Sequence, residues 1–219
     1  MRVVCVSGVD GAGKTTIVRM LARLYKRLGF RVRCRWLRWF ALLSYPLYLY
    51  ARLLKRTLVL QARGHTLRLR VFWVDKALRQ LYPRTLLTDL LLYYLYISTA
   101  SFLGRADILL LDRCFVDALI DLVWETRDTS FLKSAPAKAC LGLQKNMKTV
   151  FLVVDPKTAA RRKRDIVFLK ELYFKRRLYE VIGKLLQAPV IDTSDKNPLQ
   201  TLVTFIRLQQ PKWLLSPRK

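Results

Sequence analysis

The chain has 219 residues, of which 53% are hydrophobic, so it suits one domain with a sizeable core rather than two independent ones. Its 41 lysines and arginines against 15 aspartates and glutamates give a formal charge of +26, which favours anionic partners. The four cysteines are widely spaced without a CxxC pair, which indicates neither a zinc site nor a disulfide framework, and we expect a cytoplasmic protein.

The high charge is not accompanied by a nucleic-acid-binding motif. Arginines in Arg31–Arg38 recur beside apolar residues, as they do on solvated helix faces. Because the sequence carries no RNA-binding or zinc-finger signature, we do not expect nucleic acid to be the main partner.

The amino-terminal part of the chain predicts a strand, a loop and a helix. Arg2–Ser7 is rich in β-branched residues and predicts a strand, after which a glycine-rich turn leads into the periodic segment Lys14–Leu28. Gly29 supplies a helix stop, and a second strand is expected within Phe30–Trp36.

The middle of the chain, Leu37–Leu103, is mostly helical by its period, with breaks near Pro46, Gly64 and Pro83. Two stretches in it, Trp39–Leu54 and Leu86–Leu103, approach the length of a membrane-spanning helix. Pro46 and Arg52 interrupt the first stretch, Asp89 lies inside the second, and each stretch carries several tyrosines. We therefore expect buried core helices rather than an integral membrane protein, with contact at a membrane interface as the alternative.

The second half of the chain again alternates strands and helices. The apolar run in Asp107–Arg113 predicts a strand buried on both faces, and a helix is expected from Phe115. Further strands are expected at Thr149–Val154 and Val190–Ile191, with a final helix at Pro198–Leu208. Alternating strands and helices predict a three-layer α/β/α domain with a five-stranded parallel sheet.

The turn after the first strand matches the Walker A pattern of a P-loop, because Gly8, Gly13, Lys14 and Thr15 have the required spacing. Glycines let the backbone fold tightly so that amide groups and the positive end of the helix converge on a triphosphate. Lys14 would neutralise the β- and γ-phosphates, and the Thr15 hydroxyl would ligate magnesium. The residues that we expect to bind ATP are Gly8, Val9, Asp10, Gly11, Ala12, Gly13, Lys14, Thr15 and Thr16.

The strand within Asp107–Arg113 delivers a carboxylate at its carboxyl end, where ligands bind in open parallel sheets. This pattern is typical of a Walker B element. We expect Asp112 to hold magnesium and the adjacent Arg113 to reach a phosphate.

A third element is an arginine-rich run that begins after Asp155–Pro156 and includes Arg161, Arg162 and Arg164. Such a run is either a solvated helix or a lid, over roughly residues 157–177, that closes over the phosphoryl donor.

In order along the chain, the P-loop, the Asp112–Arg113 strand end, Val154–Pro156 and Val190–Asp192 resemble the thymidylate kinase family. The resemblance implies a P-loop kinase fold, ATP as phosphoryl donor, Mg²⁺, a nucleotide acceptor and a homodimer. It places Asp10 near the phosphates and Arg113 at the acceptor's phosphate. Family members with glycine at the position of Gly11 keep a catalytic arginine in the lid, which implies Arg161, Arg162 or Arg164.

The acceptor side departs from the family pattern. Trp36–Phe40 replaces the usual acidic or Glu-Pro-Gly turn after the second strand, and Leu90–Tyr94 replaces the base-reading arginine and polar pair. Tyr93, Tyr94 and Tyr96 are either acceptor contacts or core residues. Cys114 and Asp117 stand near positions where the family commonly has an aromatic residue and a serine.

Two alternatives to a nucleoside monophosphate kinase remain. A P-loop kinase of a hydroxyl acceptor would need a general base, for which Asp10 and Asp117 are the candidates. An ATP-gated nucleic-acid-binding protein would bind DNA or RNA in a steeply salt-dependent way without transferring phosphate.

Overall fold

The computed structural model describes residues 1–38, 41–62, 65–163 and 168–209. The strands are β1 (Arg2–Gly8), β2 (Val32–Trp36), β3 (Thr57–Ala62), β4 (His65–Arg70), β5 (Ile108–Asp112), β6 (Lys148–Val153) and β7 (Val190–Asp192). The helices are α1 (Lys14–Arg27), α2 (Tyr45–Leu53), α3 (Lys76–Leu103), α4 (Phe115–Thr126), α5 (Ala135–Lys145), α6 (Pro156–Arg162), α7 (Leu169–Leu185) and α8 (Pro198–Gln209).

Five of the strands form a parallel sheet in the order β2-β5-β1-β6-β7. Its middle strands β5, β1 and β6 are mostly apolar and, apart from their end residues, almost wholly buried, as parallel strands covered on both faces require. One face packs on Ile17, Leu21 and Phe205 of α1 and α8, and the other packs on Leu87 and Phe115 of α3 and α4. The α/β class with a five-stranded parallel sheet is thus confirmed, and its layers agree with a three-layer α/β/α arrangement.

The hairpin formed by β3 and β4 corrects the expectation that Leu37–Leu103 is mostly helical. The two strands pair antiparallel from Thr57 opposite Arg70 to Ala62 opposite His65. His65–Arg70 alternates polar and apolar residues, which is the two-residue period of a strand. The break expected at Gly64 falls outside the described residues.

Helix α3 corrects a second expectation, because it continues through Pro83 instead of breaking there. Asp75 caps its amino terminus by accepting a hydrogen bond from the Leu78 amide. Buried residues such as Leu78 and Leu87 lie on both sides of Pro83, so packing on the core holds the helix together across the missing amide.

The prediction that the two long apolar stretches are buried core helices was only partly right. Trp39 and Phe40 lie outside the described residues, and α2 buries only Ala51. Within the described ranges α3 is the one helix long and apolar enough to span a membrane, and 33% of its most apolar window is buried. Core helices of soluble proteins meet the same length and composition criteria, so the fold is compatible with a soluble protein.

The cysteines also differ from expectation. The structure brings the sulfurs of Cys5 and Cys114 into contact, with the two Cα atoms 6.4 Å apart, so the pair is placed where a disulfide could form. Cys5 lies opposite Leu111 in the β1–β5 pairing, and Cys114 follows three residues later, so the sheet register brings the two sulfurs together. Spacing along the chain carries no information about such a pair.

Candidate functional site

The loop Gly8–Gly13, hereafter the glycine loop, connects β1 to α1 at the carboxyl end of the sheet. The φ angles of Gly8, Gly11 and Gly13 are 139°, 85° and 89°, a region that side chains disfavour. A Cβ atom on Gly8 would also collide with the carbonyl oxygen of Leu152, and one on Gly11 would lie 2.9 Å from the Ala159 Cβ atom. Only glycine fits these two positions, and the loop directs the amino terminus of α1 towards an open cavity.

Lys14 is buried at the base of this loop. Its Nζ atom donates to the carbonyl oxygens of Gly8 at 2.7 Å and Val9 at 2.9 Å, and it lies 3.6 Å from Oδ1 of Asp10. Burial lowers the pKa of Lys14 to about 8, although the Asp10 carboxylate opposes this shift. The positive charge of the buried Lys14 ammonium is thus only partly offset by Asp10, and such a cation favours the binding of an anion.

Thr15 and Asp112 meet where α1 begins and β5 ends. The Thr15 hydroxyl donates to Oδ2 of Asp112 at 2.6 Å. The described residues contain no group of three or more His, Cys, Asp or Glu able to hold a metal, so the protein would offer two oxygen ligands here. This donor set fits Mg²⁺, which prefers oxygen and usually takes one or two protein ligands together with phosphates and water.

Arg113 follows the strand end and adopts a left-handed backbone, with φ at 72°. Its guanidinium lies 2.5 Å from Oδ1 of Asp10 and 3.6 Å from Oδ1 of Asp117. Burial alone would raise the pKa of Asp10, but the cations of Lys14 and Arg113 hold it well below its usual value. Asp10, Lys14 and Arg113 therefore form one ionised cluster at the loop.

Asp117, which the sequence offered only as a candidate general base, organises the floor of the site. Its carboxylate accepts hydrogen bonds from the hydroxyls of Ser7 at 2.5 Å and Tyr179 at 2.7 Å, and from the Cys114 amide at 2.8 Å. The Gly8 amide points to the same carboxylate at 3.4 Å. Asp117 thus connects β1, α4 and α7 directly beneath the glycine loop.

A second buried ion pair lies one turn further along α4. Asp121 accepts from Nζ of Lys175 at 2.5 Å and from the Arg38 guanidinium at 3.0 Å, and Lys175 also contacts Glu171 at 2.6 Å. Burial would raise the pKa of Asp121, but the Lys175 and Arg38 cations lower it. Lys175, which the sequence placed in the lid run, is therefore buried against α4.

The predicted lid arginines have different environments. Arg162 donates to the carbonyl oxygens of Thr193 at 2.9 Å and Ser194 at 3.1 Å, whereas Arg161 donates to the Thr158 hydroxyl at the surface. Arg164 lies outside the described residues.

A cavity of about 590 Å³ lies between the glycine loop, α6 and the β7–α8 connection, and its size suits a small-molecule ligand. Its lining residues are Asp10, Gly11, Ala12, Gly13, Lys14, Thr15, Thr16, Ile17, Arg113, Arg162, Lys163, Thr193, Lys196, Asn197, Pro198 and Thr201. The sequence interpretation missed the last five of these, because only the fold brings the start of α8 to the loop. The polar run after the Val190–Asp192 strand end was the one available signal.

The tyrosines considered as acceptor contacts do not line this cavity. Tyr94 packs edge-on against Phe115 with ring centroids 5.4 Å apart, and Tyr93 is partly buried on the same core. Tyr96 is 68% exposed on the outer face of α3.

Comparison of the sequence with models of known protein families and with curated proteins finds no match.

Proposed function

We propose that this protein is a magnesium-dependent phosphotransferase of the nucleoside monophosphate kinase type, related to the thymidylate kinases. It would transfer the γ-phosphoryl group of ATP to the phosphate of a nucleotide, with thymidylate as the first candidate. The observation that carries the proposal is that Lys14, Thr15 and Arg113 line one cavity beside the glycine loop, with Asp112 hydrogen-bonded to Thr15. ATP is abundant in the cytoplasm, and the proposal therefore places the protein in that compartment.

The glycine loop supports the donor half of the proposal. Backbone amides of the loop and the positive end of α1 favour a bound phosphate chain, and the Lys14 ammonium can exchange its two carbonyl partners for phosphate oxygens. Thr15 and Asp112 would hold Mg²⁺, which when bound neutralises charge on the donor phosphates.

The reaction needs little from the protein beyond positioning and charge. An anionic oxygen of the acceptor phosphate attacks the γ-phosphorus, the bond from that phosphorus to the β-phosphate oxygen breaks, and ADP leaves with that bond's electron pair. Lys14, Arg113 and Arg162 would stabilise the negative charge spread over the transferring group.

The two candidate bases argue against a hydroxyl acceptor. Asp10 is held ionised between Lys14 and Arg113 with a lowered pKa, which makes it a weak base. Asp117 is 1% exposed and accepts hydrogen bonds from several donors, so it cannot reach a substrate hydroxyl. A phosphate acceptor needs no general base, since its oxygen is already anionic.

Arg113 supports the acceptor half of the proposal. Its guanidinium is held at the cavity by Asp10 through a single short contact, and a guanidinium presents several further N–H groups. An acceptor phosphate can therefore bind Arg113 while the ion pair with Asp10 remains.

The test is ADP formation by purified protein with ATP and Mg²⁺, in parallel with thymidylate, the other nucleoside monophosphates, nucleosides and no acceptor. We expect a monophosphate to stimulate ADP formation and to appear as its diphosphate. Stimulation by a nucleoside alone would favour the hydroxyl-acceptor alternative. ATP binding with no transfer to any member of the panel would contradict the proposal.

A further inference from the structure

A groove of about 360 Å³ lies between α1 and β2, the edge strand of the sheet. Its lining includes Val18 and Ala22 of α1, together with the exposed Arg35 and Trp36 of β2. We call this feature the edge groove. It is distinct from the larger cavity beside the glycine loop, with which it shares only Thr15 among its lining residues.

Basic residues of α1 run along the edge groove. Arg19 and Arg23 are exposed, line the groove and stand four residues apart, so they lie on one helix face about 6 Å apart along its axis. Lys26 continues the same face by one further turn. Burial raises the pKa of the Cys34 thiol in the groove, and the charges of Lys26 and Arg35 oppose that rise, which places both cations close by. We call Arg19, Arg23 and Lys26 the cationic row.

The cationic row has no acidic counterpart. The sequence from Gly11 to Val74, which supplies both α1 and β2, contains no aspartate or glutamate. Within the described part of the chain, none of the three cations takes part in an ion pair. The carboxylate that lines the groove, Asp112, stands at its end and accepts the Thr15 hydroxyl. Because like charges one turn apart destabilise a helix, the stability of α1 does not explain the row.

Trp36 adds an aromatic surface to these cations. Its side chain is 49% exposed, and it stands opposite Asp112 in the β2–β5 pairing, near the carboxyl end of the sheet. A groove with a row of cations and an exposed aromatic ring is the arrangement that binds single-stranded nucleic acids. The phosphates lie on the cations, and a base stacks on the ring.

A single strand fits the edge groove better than other anionic partners. A lipid bilayer would contact the rim of a groove and leave its lining empty. An acidic peptide would pair with the cations but offers no flat ring to Trp36. A duplex keeps its bases stacked inside, whereas the bases of a single strand are free to stack on an aromatic side chain.

We propose that the edge groove binds single-stranded nucleic acid, with phosphates on Arg19 and Arg23 and a base stacked on Trp36. The sequence carries no nucleic-acid-binding motif, and the groove arises only where the fold places β2 beside α1. This binding goes beyond the proposed kinase activity and requires neither ATP nor a phosphoryl acceptor.

The experiment measures fluorescence anisotropy of labelled oligodeoxycytidylate, about 12 nucleotides long and without terminal phosphates, with the full-length protein and no ATP. The groove variant, Arg19→Gln with Arg23→Gln, removes two cations of the row. The matched control, Arg177→Gln with Arg207→Gln, removes the same charge from arginines that are exposed on α7 and α8. Thermal melting of each variant shows that it remains folded.

We expect the unaltered protein and the matched control to bind the strand alike. The groove variant should bind at least about tenfold more weakly, and its slope of log Kd against log salt concentration should be lower by about 1.4, because two phosphate contacts are lost. Trp36→Ala should weaken binding at least about fivefold and leave that slope unchanged, since stacking releases no counterions.

Equal weakening in the groove variant and the matched control would overturn the proposal, because the charge would then act from the whole surface. Undetectable binding at low salt would do the same, as would equal affinity for a duplex of the same length or for polyglutamate. Binding that is lost in Lys14→Ala but kept in the groove variant would place the strand on the glycine loop instead. These measurements contain no ATP, so their failure is distinguishable from a failure of the proposed kinase activity.

Discussion

The Ser7 hydroxyl lies 2.5 Å from Oδ2 of Asp117, a contact that joins the end of β1 to the first turn of α4 across 110 residues of chain. Tyr179 and the Cys114 amide donate to the same carboxylate. A buried carboxylate surrounded by donors fixes the strand end from which the glycine loop leaves. The loop therefore depends on a residue that never touches the cavity.

Replacing Asp117 with Asn should destabilise the protein. The new amide would point an N–H₂ group at groups that are themselves donors, and we expect a loss of about 2 to 4 kcal/mol. Thermal denaturation followed by circular dichroism should show a midpoint roughly 5 to 15 °C lower.

The matched control is Asp195→Asn, which makes the same chemical change at an exposed position. It should leave the midpoint unchanged. If the two variants have the same midpoint of thermal denaturation, the carboxylate of Asp117 does not hold the strand end.

Lys14→Ala should remove phosphoryl transfer without unfolding the protein. The ammonium is the cation nearest the start of the loop, and its loss should lower turnover at least about 10³-fold. Because Lys14 lines an open cavity, water can replace it at the carbonyl oxygens of Gly8 and Val9. Lys26→Ala, at an exposed position in the last turn of α1, is the matched control for turnover and melting. A folded Lys14→Ala variant with normal turnover would refute the assignment.

ATP affinity should fall as the pH rises above about 8. Burial lowers the pKa of Lys14 to about 8 in the free protein, and a bound triphosphate would raise it again. Below this pH the ammonium is already present and binding takes up no proton at Lys14. Above it the free protein holds a neutral amine, so each binding event takes up a proton and Kd rises up to about tenfold per pH unit.

Titration calorimetry in two buffers with different ionisation enthalpies measures this proton uptake directly. The uptake should vanish in Lys14→Ala. An affinity that stays constant across the same pH range would show that the amine is protonated throughout.

The sequence predicted the elements whose signal is local. The strand–loop–helix around Lys14 and the buried strand that ends at Asp112 follow from apolar runs and glycine spacing, and both lie where expected. The β3–β4 hairpin was missed because its alternating strands were read together with the helical residues around them. Its period of two, visible in His65–Arg70, was the available signal.

Long-range contacts of the candidate site could not be predicted. Asp117 and Tyr179 are 62 residues apart, and Lys175 pairs with Asp121 at a separation of 54. In the sequence, Lys175 is one basic residue within a basic run, and nothing local distinguishes it from solvated neighbours such as Arg177. Burial made the difference, and burial is set by how α7 packs on α4.

The thiol content of the protein tests whether the contact between Cys5 and Cys114 is a disulfide. Alkylation of the denatured chain without reductant should modify Cys34 and Cys140 alone, and prior reduction should add two further modified cysteines in the intact mass. A bond here would close a separation of 109 residues, so its reduction should also lower the stability by about 5 kcal/mol in the chain-entropy model. Four modified cysteines before reduction would show that the pair is a thiol contact.

Arg162 is the described lid arginine best placed to act on the transferring phosphoryl group. It lines the cavity and is positioned by the carbonyl oxygens of Thr193 and Ser194, whereas neighbouring Arg161 donates to the Thr158 hydroxyl and is not among the lining residues. Arg162→Ala should lower kcat about 10³-fold with a much smaller change in the KM for ATP, because the cation acts on charge that develops in the transition state.

Arg161→Ala is the matched control one position earlier, and its kcat should stay within about twofold of the unaltered protein. A purely structural role for Arg162, in tying α6 to the β7–α8 connection, would instead lower the melting temperature and leave kcat intact. Both arginines carry the same charge and lie on the same short helix. A difference between the kcat values of the two variants would therefore reflect that Arg162 lines the cavity and Arg161 does not. Equal kcat values for the two variants would place the catalytic cation elsewhere, with Arg164 as the next candidate.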